Sequence, residues 1–392
     1  MLVMEYRIFN NLKGGLLLSF ILFILVSCLS AQTWEKEFNT SDSEVFPCVA
    51  EWDNYYLLGF GLDDTQYQSY SLFYLDNYGN VQDSITNISV PGYYQTNFTK
   101  LTIIDDTLYS VGRASHDQLE ISDIAFFKLN LFTKDYEITV FPSNDTAEYI
   151  FDYIATPTGF IVPGWEIVNG FYNGYLLEIS QSGGFIKKQN TGSIESLSGY
   201  LWSDNLTLST RGISVETYIF ERLRFHAIDT VITSPHSFSL GGSLTSRYNT
   251  AHHFVGSVVS DQIINKLQCE VLGIINDSTL SHNYRFGRPS KEGKVQGIQP
   301  IAESDSNTIF MIGSVAEDVD PIIRADPTEI ALFKTNQNGD TLFMKFYKGE
   351  VKYIANSIIA TPDGGALIAS SKYDWNSPYP NQWDVHLLKV DS

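Results

Sequence analysis

The sequence predicts an all-β fold, a seven-bladed β-propeller closed by the N-terminal strand completing the last blade. Three observations predict it. An apolar hairpin strand recurs along the chain at a spacing of roughly 45 to 60 residues, the period of propeller blades rather than of helical solenoids. Aromatic residues are abundant (23 Tyr, 25 Phe and 6 Trp in 392 residues), as suits pleated surfaces. No stretch carries the apolar period of an amphipathic helix.

The chain opens on a targeting segment. Arg7 and Lys13 flank the start of an apolar run over 16–26, the length of a signal-peptide core and short of the roughly 20 residues of a spanning helix. Leu25-Val26-Ser27-Cys28 reads as a bacterial lipobox, with Cys28 as the lipidated first residue of the mature chain. A cut after Ser30 or Ala31 is the alternative. The expected organisation is a signal peptide over 1–31 and a single propeller domain over 32–392, with no transmembrane segment after the signal.

Residues 329–349 (E-I-A-L-F-K-T-N-Q-N-G-D-T-L-F-M-K-F-Y-K-G) show the repeat best. Residues 330–335 read as an apolar strand, Asn336-Gln337-Asn338-Gly339-Asp340 as a turn supplying positive φ, and 341–347 as an aromatic return strand. The first of these strands recurs at 71–76, 124–129, 174–179, 217–223, 270–275 and 385–390. Strands ending in small residues precede it, at 55–59, 108–112, 160–164, 309–313 and 366–370; glycine there permits close approach. A further strand lies upstream, closed by turns such as Thr361-Pro362-Asp363-Gly364-Gly365. Four strands per repeat make a blade. The signals are weakest over 201–224 and 241–261. The seventh copy stops at Ser392 after its third strand, and 33–38 supplies the missing outer strand, which removes an exposed sheet edge.

Asp123-Ile124-Ala125-Phe126-Phe127-Lys128-Leu129, Glu329-Ile330-Ala331-Leu332-Phe333-Lys334-Thr335 and Asp384-Val385-His386-Leu387-Leu388-Lys389-Val390 resemble the D-A-F-L-x-K-L repeat of bacterial secreted seven-bladed propellers, the SBBP or delta-60-like repeats of Bacteroidota type. The resemblance covers about residues 33–392. It implies a propeller and an extracytoplasmic address, and no particular activity, because propellers host many functions. Residues 31–36 resemble mature starts of exported proteins in that group. Many of its members carry a C-terminal secretion domain; none is expected here. Asp83-Ser84-Ile85, Asp106-Thr107-Leu108 and Asp340-Thr341-Leu342 resemble the short O-glycosylation pattern of the group, and equally suit turns.

Composition narrows the function. A net charge of −20 repels a nucleic-acid backbone, so nucleic acid is excluded as a partner. Cys48 and Cys269 read as buried small hydrophobes rather than a disulfide framework. There is no G-x-S-x-G elbow and no H-E-x-x-H, and adjacent His252 and His253 would point to opposite faces of a strand. No catalytic residue is therefore assigned. Asp63, Asp64 and Glu51 are candidates for an acid/base pair across an axial channel, as a carbohydrate-active enzyme would need.

Binding residues are easier to nominate. Trp375, Tyr379 and Trp383 lie in an aromatic loop over 373–383, among Asn, Gln and Asp, a composition that suits sugar rings or a protein surface. Trp165 and Tyr172, with Phe171, are expected in the corresponding loop of the third blade. Glu317, Asp318, Asp320, Asp326 and Glu329 form an acidic insertion, either a solvated loop or oxygen ligands for Ca²⁺; no other cofactor is expected. The expected function is an exported, non-enzymatic propeller binding a protein or glycan at the envelope of a Gram-negative bacterium, whether secreted, periplasmic or anchored to the outer membrane. A carbohydrate-active enzyme and a purely structural scaffold are the alternatives.

Overall fold

The computed structural model describes residues 33–39, 43–63, 68–116, 121–143, 147–150, 152–168, 171–190, 195–202, 205–211, 218–224, 227–233, 238–248, 251–259, 267–275, 279–286, 292–295, 299–304, 308–316, 327–336, 339–348, 351–376 and 383–392. Among them every regular element is a β-strand. No helix among them is long and apolar enough to cross a membrane.

Successive strands pair antiparallel in chain order, so the sheets follow one another along the sequence. Residues 148–190, 195–233, 238–286 and 292–348 each form one sheet of four or five strands. Residues 43–141 form a nine-stranded sheet of two antiparallel groups, 43–88 and 95–141, joined at a parallel bridge between Gln68 and Gln95. The last sheet, 352–390, takes its outer strand from the far end of the chain. Trp34–Phe38 pairs antiparallel with Trp383–Val390, Trp34 opposite Lys389 and Phe38 opposite Val385.

Burial follows position in the sheet. The third strand Thr328–Asn336 is buried along nearly its whole length, as for a strand covered on both faces. The fourth strand Val81–Ile88 is mostly exposed, which is why Gln82, Asp83 and Asn87 are tolerated there. Apolar clusters join neighbouring sheets from 43 to 190, and again from the 238–286 sheet through the 292–348 sheet to the last. Cys48, Leu57 and Tyr70 of the first group pack with Phe98, Ala125 and Phe127 of the second. The final sheet packs back on the first: Leu367, Val385 and Leu387 lie against Val49, Leu58 and Phe60. Glycine is required where strands crowd, since a Cβ on Gly112 would collide with the Asn97 carbonyl on the neighbouring inner strand.

Two features depart from the reading of the sequence. The inner strand is split in several sheets, as Gln95–Phe98 with Thr102–Ile104 and Glu148–Ile150 with Ile154–Thr156. The gaps face each other: Lys100 Nζ lies 2.5 Å from Asp152 Oδ1, and the Tyr153 hydroxyl reaches the carbonyls of Lys100 and Tyr109 at 2.9 and 2.8 Å. Side chains thus replace ladder bonds between neighbouring inner strands. Conversely, the weakly signalled region is regular in its backbone, with strands Glu195–Trp202, Asn205–Arg211, Tyr218–Arg224 and Ala227–Thr233, then Phe238–Tyr248, Ala251–Val259, Leu267–Ile275 and Thr279–Phe286. Three of its connections are two residues long without glycine (203–204, 225–226 and 249–250), so glycine as a marker of the turn is missing there.

Cys48 and Cys269 are both buried and free, as the sequence reading expects. Cys48 Sγ lies 3.1 Å from the Tyr70 hydroxyl, and burial pushes its thiol up to about 12. Cys28 and the whole of 1–32 lie outside the described residues.

Candidate functional site: the rim of the second-to-third connections

Because consecutive strands run antiparallel, connections alternate between two ends. First-to-second and third-to-fourth turns share one end, here the lower. Second-to-third connections and the links between sheets share the upper. Parallel bridges between neighbouring sheets, Ser122 with Ala147 and Gln299 with Ser357, keep the ends aligned. The aromatic loop of the last sheet and the corresponding connection of the 148–190 sheet therefore lie at the same end.

The last sheet carries the best-formed patch. Asp374, Trp375 and Asn376 leave the strand Ala366–Tyr373, and the Asn376 amide donates to Asp374 Oδ1 at 2.8 Å in an Asx turn. Trp375 is 37% exposed. Trp383 begins the next strand, its ring 5.3 Å from Tyr373, with Lys352 Nζ over its face at 5.4 Å. Its amide donates to Ser43 Oγ at 2.9 Å, tying the rim to the first sheet. Beneath it Lys372 reaches Glu37 Oε1 at 2.7 Å, and Asn39 donates to Asp384 Oδ2 at 3.1 Å. Burial raises the Asp384 carboxyl against the pull of Lys372. Tyr379 lies outside the described residues.

The 148–190 sheet does not present the matching loop. Gly159–Val168 and Phe171–Ser180 are joined over two residues, so Trp165 and Tyr172 belong to strands. Trp165 is 9% exposed and stacks on Tyr149 at 3.9 Å between ring centres; Arg113 lies 4.8 Å from the Tyr149 centroid. That stack fills the sheet interior instead of extending a platform. The sequence reading puts Trp165, Phe171 and Tyr172 in a loop matching 373–383, whereas strand pairing up to Val168 and Phe171 leaves only residues 169–170 between the strands.

Two polar clusters that sequence reasoning missed stand at the same end. Asp123 is buried and accepts the Tyr93 hydroxyl at 2.6 Å and the Ser143 amide at 2.7 Å, with His116 Nε2 at 3.1 Å. Burial would raise this carboxyl, but the donors outweigh it and hold it below the usual range. The His116 ring lies on Tyr93, centres 4.2 Å apart. Asp384 and Asp123 occupy the same place in the repeat, and both hold the link entering a neighbouring strand. The repeat's leading acid is thus a fastening for the rim. In the second cluster, Lys188 Nζ bridges Glu148 Oε1 at 2.6 Å and Glu166 Oε2 at 2.5 Å. Burial raises the Glu148 carboxyl despite Lys188.

These carboxylates bear on the enzymatic alternative. Glu148 and Glu166 approach the separation a retaining glycosidase needs, about 5 Å, but the Lys188 ammonium occupies the space between them and Glu148 is buried. The pair nominated from sequence does not converge. Asp63 pairs with Ser43 at the upper end, whereas Glu51 pairs with Tyr56 at the lower, seven residues along the strand, or about 23 Å. Asp64 lies outside the described residues. So do residues 317–326 of the acidic insertion; Glu329 itself is buried in the strand Thr328–Asn336. Among the described residues no three His, Cys, Asp or Glu are grouped to hold a metal ion.

No protein-family profile matches the chain, and no curated protein matches its sequence. Among solved structures it is similar to YCF48 bound to a D1 peptide, with a TM-score of 0.51 and 11% identity over 92% of this chain and 95% of that one. It also matches the β-propeller domain of the Trilobed protease from Pyrococcus furiosus, with a TM-score of 0.49 and 7% identity over 84% and 89% of the two chains. At such identity the likeness speaks to architecture alone, and the architecture is that of a β-propeller.

Proposed function

We propose that this chain is an exported, non-enzymatic β-propeller of the secreted bacterial type, with seven blades, that binds a protein or glycan at its upper rim. Seven units follow if the nine-stranded sheet is divided at its single parallel bridge, Gln68 with Gln95. In this reading Trp34–Phe38 completes the last blade and holds the ring shut. The leader read over 1–31 supports an address outside the cytoplasm, and the lipobox read at Cys28 supports an anchor in the envelope of a Gram-negative bacterium.

The observation that carries the binding reading is the rim of the last sheet. There an exposed Trp375 follows Asp374 on an anchored turn, at the end of the sheet where Tyr373, Trp383 and Lys352 cluster. Such surfaces suit a sugar ring or a partner's hot spot. The test is a glycan array and an envelope-protein binding screen with the mature chain, repeated with Trp375→Ala. The expected result is a ligand lost with that variant at unchanged melting temperature. A ligand retained in full by Trp375→Ala would move the site elsewhere.

A further inference from the structure

We infer that the lower end of the propeller is a membrane-facing surface, resting against the bilayer in which the chain is anchored. The inference rests on the reading of Cys28 as the anchor.

Exposed large apolar side chains gather at this end. Tyr78 and Val81 lie at the third-to-fourth turn of the first group, Phe132 and Tyr136 at that of the second, Phe185 in the 148–190 sheet and Leu342 in the 292–348 sheet. Phe132 is 68% exposed and Phe185 60%. Each turn uses a different sequence, yet each places an apolar side chain beside its outermost strand. Distributed over the tips of separate sheets, they form no groove for a peptide or helix; they suit a broad apolar partner. Aromatic rings with a polar edge favour the bilayer interface.

The chain itself says what the partner is. The strand Trp34–Phe38 begins at the lower end: Trp34 pairs with Lys389, its indole donates to the Asn77 carbonyl at 2.9 Å, and the Asp391 amide reaches Thr33 Oγ1. Cys28 precedes Thr33 by five residues, a span of at most about 18 Å. A lipid on Cys28 would hold this end, and not the rim with Trp375, next to the bilayer. A diacylglyceryl group on that cysteine would hold the chain to the bilayer by its two acyl chains, and the apolar tips would add a second contact that fixes which end faces it. The charge also selects the lipid. Asp53, Asp105, Asp106, Asp135 and Asp340 are exposed in turns at this end, so a zwitterionic surface is favoured over an anionic one.

The experiment removes dependence on natural lipidation. The mature chain from Cys28 is coupled through that thiol to maleimide-bearing phosphatidylethanolamine in phosphatidylcholine vesicles; buried Cys48 and Cys269 stay unreacted. Hydrogen exchange is then compared with the untethered chain. Amides at 76–81, 130–136 and 339–344 should slow while 374–376 do not. The slowing should shrink on vesicles enriched in phosphatidylglycerol, and be lost in Phe132→Ser/Tyr136→Ser/Phe185→Ser, whose side chains are exposed. No slowing, slowing at 374–376, or slowing in vesicle-free solution with a doubled mass (a second copy on this face) would overturn the inference. The mass of the native N-terminus reports separately on lipidation, so an unmodified Cys28 would defeat the anchoring without altering the tethered result.

Discussion

Replacing Trp34 and Phe38 by alanine should loosen the N-terminal strand without unfolding the rest. Both rings are half-buried: Phe38 meets Phe73 edge-on at 5.7 Å, and Trp34 lies 6.5 Å from Tyr56 between ring centres. Full burial of such a side chain is worth about 1.5–3 kcal/mol, so each contributes about 1 kcal/mol here. The indole bond to the Asn77 carbonyl adds about 0.5–1 kcal/mol. The five backbone pairs roughly offset the entropy of ordering five residues, at about 1–2 kcal/mol each, so side chains decide whether the strand stays docked. The double variant should therefore lose about 3 kcal/mol of local stability, or about 10²-fold faster exchange of the 34–38 amides. Global melting should move by only a few degrees, because the unfolding entropy of so long a chain is large. The assay is native-state hydrogen exchange with circular dichroism as control. Exchange at 34–38 unchanged in the variant would refute the reasoning, since backbone pairing and the polar contacts of Glu35, Lys36 and Glu37 would then be holding the strand.

Two further outcomes follow from buried titratable groups. His386 is buried with Nε2 2.6 Å from Glu35 Oε1, facing Tyr353 and near Glu37 and Lys372; burial outweighs the carboxylate and holds it below its usual 6.5. The unfolded chain thus takes up this proton first, so urea stability should fall as pH drops from 7 through 6.5 until the folded imidazole also protonates, and His386→Gln should flatten that slope. An unaltered slope in the variant would assign the acid sensitivity to other groups. Asp123→Ala should cost about 2 kcal/mol in urea unfolding, since it leaves the Tyr93 hydroxyl and Ser143 amide without their buried acceptor, and Asp123→Asn should recover part of it. A loss below about 0.5 kcal/mol would show that this link is fastened elsewhere.

Much of the architecture was legible because it is written in local pattern. The third strand is the clearest: Thr328–Asn336 and Ser122–Asn130 are apolar on both faces, and only strands enclosed between neighbours can be so. The fourth strand supplied by 34–38 was readable from its complement, a last repeat lacking one strand. The site was less legible. Trp165 carried the same signal as Trp375, an aromatic near turn residues, and nothing local separates a ring that begins a loop from one that stacks inside a sheet on Tyr149. Asp123 looked like one letter of a repeat, and its work depends on Tyr93, 30 residues earlier, and Ser143, 20 residues later.

What the sequence determined by itself is what nearest neighbours in the chain determine: strand after strand, turn after turn, and antiparallel order. Pairing of adjacent strands costs little loop entropy, so its pattern survives in local composition. Only the tertiary structure decided which end each loop occupies, that Glu51 and Asp63 lie too far apart to cooperate, that Lys188 separates Glu148 from Glu166, and that exposed apolar tips share the end at which the strand Trp34–Phe38 begins. Those are relations between residues far apart in sequence, set by the packing of whole sheets, and no single stretch of the chain encodes them.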